Sequence, residues 1–185
     1  MFCAVELPVS LRARVMSHIA ALKKTAPDDR ASWARETSLH LTLKFLGNIP
    51  KASVADLSEA AAAAVAGIES FPIRLEATGV FPERGHARVL WVGVNDVSGK
   101  LHGLQSRLEA QSALVGFPKD ERSFSPHLTI ARLRHPQDAR TLAVVHKQMN
   151  FEAAEMNVSE LLAIRSELSS AGSKYTVISK HQLGA

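Results

Sequence analysis

His40-Leu41-Thr42-Leu43 and His127-Leu128-Thr129-Ile130 repeat one pattern: histidine, apolar residue, threonine, apolar residue. Both lie in runs that alternate as strands do. Successive strand side chains point to opposite faces, so His40, Thr42 and Lys44 are expected on one face and Leu39, Leu41, Leu43 and Phe45 on the other. The apolar face can bury while imidazole and hydroxyl look into a shared space. Two such strands bring two imidazoles and two hydroxyls, a set suited to acid–base chemistry on a phosphate without a metal. Chance would place about 0.06 such tetrads in a chain of this composition, so a pair is a strong signal. Strands that carry threonine only for its β propensity are the plain alternative.

The surrounding chain bounds what those strands can belong to. At 185 residues, 46% of them hydrophobic, it suits one domain, residues 1–185, made of two small lobes. No apolar run approaches the roughly 18 residues of a membrane span. The start, Met1 to Pro8, lacks the basic leader of a signal peptide, and Glu6 interrupts its short apolar run, so a cytoplasmic protein is expected. The single cysteine, Cys3, excludes an internal disulfide, fits a reducing compartment and is expected in the core. A net charge of +4 favours an anionic partner, but 5% aromatics are too few for a platform stacking several bases.

In chain order, residues 2–7 read as a strand, and Leu11, Val15, Ile19 and Leu22 mark a helix through Lys24. A loop at Pro27-Asp28-Asp29 and a short extended piece at Trp33 precede the first motif strand, 38–46. A helix over 51–66 ends at Gly67. Strands 71–78 and 87–94 flank Pro82-Glu83-Arg84-Gly85. A helix capped by Ser98 carries Leu101, Leu104 and Leu108 to Gly116. The second motif strand spans 127–133, a helix 137–148 comes after Pro136, and strands 157–166 and 174–181 flank a turn at 169–172. The second half loosely echoes the first. The expected fold is α+β: two similar lobes whose antiparallel sheets face a central cleft, with helices outside.

Rival chemistries have no motif. There is no phosphate loop, no Gly-x-Ser-x-Gly elbow, and no His-Glu-x-x-His or cysteine pair for zinc. His40 and His127 lack acidic neighbours at ligand-like spacing, so neither a metal nor another cofactor is expected. His18, His102, His146 and His181 are expected to be solvated or capping. His86 and His135 sit in basic loops that can touch a nucleic-acid backbone.

On Phe2 to Pro8, Leu39 to Gly47, Gly79 to Pro82, Arg88 to Val94, Phe124 to Arg132, Ser166-Glu167-Leu168, Gly172 and Tyr175, the chain resembles the bacterial and archaeal RNA 2',3'-cyclic phosphodiesterases of the two-histidine phosphoesterase superfamily, also named 2'-5' RNA ligases. The resemblance implies a bilobal fold and metal-independent hydrolysis of a 2',3'-cyclic phosphate end to a 2'-phosphate. It implies His40 as proton donor to the leaving 3'-oxygen, His127 as proton acceptor from water, and Thr42 and Thr129 as phosphate-binding threonines. The family arginine falls on Arg132, five residues from His127, where a regular strand points it to the opposite face. It reaches the site only if the strand ends or bulges first. The implied partner is RNA or an oligonucleotide with a 2',3'-cyclic end, with no obligatory protein partner and a monomeric state. The family name also carries 2'-5' ligation, from the same cyclic end and a 5'-hydroxyl. Two alternatives remain: a cyclic phosphodiesterase for a small nucleotide such as ADP-ribose cyclic phosphate, and a non-catalytic RNA-end binding module.

Overall fold

The computed structural model describes residues 1–26, 31–135, 137, 140–169 and 172–184, with backbone alone at 168, 169 and 172. The expected loop at 27–29, Pro136 and the centre of the turn at 169–172 lie outside the described residues. The strands are β1 (Phe2–Glu6), β2 (Ser32–Trp33), β3 (His40–Phe45), β4 (Phe71–Phe81), β5 (Val89–Asn95), β6 (His127–Arg132), β7 (Ala154–Val158), β8 (Glu160–Ser169) and β9 (Gly172–Gln182). The helices are α1 (Val9–Thr25), α2 (Ser53–Val65), α3 (Lys100–Leu114) and α4 (Arg140–Gln148).

Every strand pairing is antiparallel, and the strands form two sheets, ordered β3-β1-β8-β9 and β2-β6-β5-β4-β7. Each sheet contains one motif strand. Neither sheet is one half of the chain. β8, from the C-terminal end, pairs onto β1 and carries β9 on its other edge, while β4 and β5 leave the first half to join β6. This exchange needs a crossing between sheets, which occurs at Ser159, between β7 and β8. Here the structure corrects the expected strand 157–166. An uninterrupted β-like run is in fact two strands in different sheets, and alternation alone carries no mark of the crossing.

One continuous buried cluster forms the core and joins Leu11, Val15, Ile19 and Leu22 of α1, Leu41 and Leu43 of β3, Leu128 and Ile130 of β6, Leu57 of α2 and Leu101, Leu104 and Leu108 of α3. Each such side chain contributes roughly 1.5–3 kcal/mol by leaving water. Cys3 lies in this cluster, fully buried, its thiol pushed up to about 12 by burial. Gly67 and Gly116 take the left-handed conformation just past α2 and α3, as helix-ending glycines do. At the start of α3 the sequence reading is only partly right. Ser98 Oγ accepts from the Lys100 N–H at 3.3 Å, but Asp96 takes both the backbone N–H and the ring Nδ1 of His102.

The motif strands share an irregularity that the sequence does not display. Cys3 stands opposite Lys44 and Ala4 opposite Thr42, leaving Leu43 as an extra residue on β3. Leu90 stands opposite Ala131 and Trp91 opposite Thr129, leaving Ile130 as an extra residue on β6. Each bulge falls on the fourth motif residue and reverses the facing of the residues beyond it. Lys44, expected beside His40, therefore turns into the core, where its Nζ pairs with Glu109 and donates to the Pro118 carbonyl at 2.8 Å. Phe45, expected in the core, is instead 63% exposed. Arg132 is moved by the same device onto the face of His127.

Candidate active site

β1 and β3 set out half of the site by register. His40 stands opposite Glu6, Thr42 opposite Ala4 and Phe45 opposite Phe2, all on the face that turns away from the main core. β5 and β6 repeat the layout, with His127 opposite Gly93, Thr129 opposite Trp91 and Arg132 opposite Val89. β3 and β6 come within 8 Å of one another at Cα atoms, so the two motif strands meet along one seam. The structure thus puts His40 and Thr42 on one motif strand and His127, Thr129 and Arg132 on the neighbouring one, each set on the face turned from the main core.

Beneath each histidine lies an aromatic floor. The His40 ring stacks on Phe2 at 4.6 Å and meets Tyr175 edge-on at 5.3 Å. Phe2, Ala4, Leu162 and Ile164 form a small buried cluster of their own on this face, with Tyr175 packed against it. The His127 ring meets Phe81 edge-on at 5.0 Å, and Phe81 in turn lies 5.2 Å from Trp91. Trp91 has room because its neighbour on β4 is Gly79: a Cβ there would come 2.1 Å from the indole. Phe2, Tyr175, Phe81 and Trp91 were not singled out as site residues in the sequence. Their shared signal is position, on the same face as a motif histidine in the adjoining strands, which becomes legible only once pairing is known.

Both imidazoles are held from behind by the carbonyl two residues earlier. His127 Nδ1–H donates to the Ser125 carbonyl at 2.7 Å, which leaves Nε2 as the basic nitrogen of the neutral ring. His40 is likewise bonded by the Ser38 carbonyl. Burial lowers both pKa values, that of His40 to about 4. The bond to the carbonyl two residues earlier raises each in part. Of the neighbouring charges, Glu6 draws a proton towards His40, whereas Arg132 drives one from His127. These two charges act in opposite directions, and burial outweighs both.

The other histidines divide. His181 bonds Ser179, and His86 and His135 are exposed. His146 corrects the expectation of a solvated residue. It is fully buried, with Nε2–H donating to the Trp91 carbonyl at 3.0 Å, and His18 packs against it at 5.7 Å. Both sit on helix faces that pack inward, where the sequence led to the expectation of solvated or capping residues. Among the described residues no group of three or more His, Cys, Asp or Glu side chains could hold a metal ion, and no helix is long and apolar enough to cross a membrane.

A family model described as the 2'-5' RNA ligase superfamily matches residues 7–169. The chain is similar to the RNA 2',3'-cyclic phosphodiesterase of Methanothermobacter thermautotrophicus, at 35% identity over 95% of this chain and 94% of that protein. It is also similar to the RNA 2',3'-cyclic phosphodiesterase of Aquifex aeolicus, at 33% over 82% and 81%. Among solved structures, TT0787 of Thermus thermophilus superposes with a TM-score of 0.79 and 29% identity, covering 98% of this chain and 96% of that one. E. coli LigT complexed with 3'-AMP shares the fold, with a TM-score of 0.77 and 23% identity over 100% and 97% of the two chains.

Proposed function

The chain belongs to the 2'-5' RNA ligase superfamily, and from that premise we propose that it hydrolyses the 2',3'-cyclic phosphate end of RNA to a 2'-phosphomonoester, with His40 as acid and His127 as base. The observation that carries the reading is the repeated layout of the two motif strands. Two imidazoles, each pinned by its i−2 carbonyl, sit in oppositely charged surroundings beside two hydroxyls.

The cyclic phosphate sits between the strands, its non-bridging oxygens accepting from the hydroxyls of Thr42 and Thr129 and from the guanidinium of Arg132. These donors hold the charge that builds on phosphorus oxygens as water attacks. His127 Nε2 takes a proton from the attacking water. The bond from phosphorus to the 3'-oxygen breaks in line with the attack, and His40 delivers its proton to that oxygen. The products are a 3'-hydroxyl and a 2'-phosphate, and proton exchange with solvent resets both rings. In the free protein His40 is neutral at pH 7, so it takes up a proton from solvent as the substrate binds, the anionic phosphate adding to the pull of Glu6. A 5'-hydroxyl in place of water turns the same steps into 2'-5' ligation. A binding module has no use for this opposed acid and base. In this reading the protein is one domain of two lobes, acts as a monomer in the cytoplasm, and needs neither metal nor protein partner.

The test incubates the protein with an oligonucleotide ended by a 2',3'-cyclic phosphate and, separately, with 2',3'-cyclic NMP, in EDTA. Release of 2'-phosphate from the oligonucleotide is expected, undiminished by chelation. Absence of turnover would refute the activity. Loss of turnover in EDTA that zinc or manganese restores would refute the metal-free mechanism. Turnover of the mononucleotide alone would move the substrate to small cyclic nucleotides.

A further inference from the structure

Glu6 is the one acidic residue on the site face of β1. It stands directly opposite His40 in the β1–β3 register, where paired residues share a face and their Cβ atoms lie about 4.5–5.5 Å apart. Its carboxylate is fixed from the other side: Arg12, in the first turn of α1, donates from a guanidinium nitrogen to Glu6 Oε1 at 2.7 Å. The equivalent place beside His127 is Gly93. A side chain is excluded there, because a Cβ would come 2.7 Å from the Glu76 carbonyl oxygen. The carboxylate therefore belongs to one histidine only.

We infer that Glu6, oriented by Arg12, is a positioning residue that holds the proton on His40 for delivery to the leaving oxygen, an inference that rests on the acid role given to His40 above. The groups facing His40 are consistent with it. β1 offers Glu6 and the Phe2 ring, α1 offers Arg12 beyond Glu6, β9 offers the edge of Tyr175, and the Ser38 carbonyl bonds the ring. Across the seam β6 carries His127 and Arg132. Of these, only Glu6 is a carboxylate. Its effect on His40 is upward, against the larger downward effect of burial. Arg12 bonds one carboxylate oxygen of Glu6, Oε1.

The experiment tracks the His40 imidazole by NMR titration in the intact protein, in wild type, Glu6→Gln and Glu6→Asp. Glu6→Gln is isosteric and lies at an exposed position, so the fold is kept. The His40 midpoint is expected to fall by about one pH unit in Glu6→Gln, as for loss of a nearby carboxylate. It stays close to wild type in Glu6→Asp, and the His127 midpoint stays put in both. Above that midpoint the protonated fraction falls tenfold per unit, so hydrolysis at pH 7–8 drops several-fold to about tenfold in Glu6→Gln. The deficit vanishes with a substrate whose leaving 3'-oxygen is replaced by sulfur, which departs without a proton. An unmoved His40 midpoint in Glu6→Gln overturns the inference and leaves the reaction as proposed. A moved midpoint in an enzyme that His40→Ala does not impair overturns the acid role itself, and the inference with it.

Discussion

β3 and β6 are built to one plan and differ at three places. Both run histidine, apolar, threonine, apolar bulge, and both pin the ring to the carbonyl two residues back. Opposite His40 stands Glu6, and opposite His127 stands Gly93. After the bulge, β3 continues with buried Lys44 and exposed Phe45, and β6 with buried Ala131 and exposed Arg132. The shared features make two interchangeable imidazoles. The differences separate them, because a carboxylate beside one and a guanidinium beside the other bias their protons in opposite directions.

The largest effect is expected where the comparison is most direct. His40→Ala and His127→Ala should each lower kcat by about 10²–10⁴-fold. The double variant should be scarcely slower than either single, because groups acting as one unit are not additive. Losses that multiply in the double variant, measured by steady-state kinetics, would mean that the two strands act independently.

Next comes the difference inside the core. Lys44 is an ion buried against Glu109, whose carboxylate also accepts from the Asp120 N–H at 3.2 Å. Its counterpart Ala131 has no charge to satisfy. Lys44→Met strands Glu109 and should cost about 3–5 kcal/mol in urea unfolding. A loss below about 1 kcal/mol would show that Glu109 is satisfied without it.

Thr42→Val and Thr129→Val keep shape and strand propensity but delete a donor to developing charge, a loss of about 2–4 kcal/mol. Each should lower kcat roughly a hundredfold. Wild-type turnover in either would place that hydroxyl outside the site.

Arg132→Gln is expected to be the mildest, about 1.5–3 kcal/mol for one charged hydrogen bond. It also has a sign in pH. Burial first, and Arg132 in addition, hold His127 below its ordinary value. Without the guanidinium His127 binds its proton more readily, so its midpoint in an NMR titration should move to higher pH. An unshifted midpoint would mean that Arg132 serves the phosphate alone.

How much of this the sequence disclosed depends on which signals are local. The histidine and threonine of each motif are two residues apart, so their shared face was legible from strand geometry. The core stripe of α1 was legible from its spacing. Neither bulge was, because an extra residue in one strand is defined by its partner. The sequence therefore turned Lys44 outward and Phe45 inward, and left Arg132 conditional on a bulge that does occur, at Ile130. The strand exchange between sheets hid for the same reason, as did Phe2, Trp91, Phe81 and Tyr175. Burial of His146 depends on which helix face the β4–β5 pair covers, again a property of the assembled fold.

Leaving-group replacement separates the two histidines most directly. With a cyclic substrate carrying sulfur in place of the 3'-oxygen, departure needs little protonation. His40→Ala should recover to near wild-type rate, while His127→Ala stays impaired because water must still lose its proton. Recovery of His127→Ala with His40→Ala still impaired would contradict the assignment and exchange the roles of the two strands.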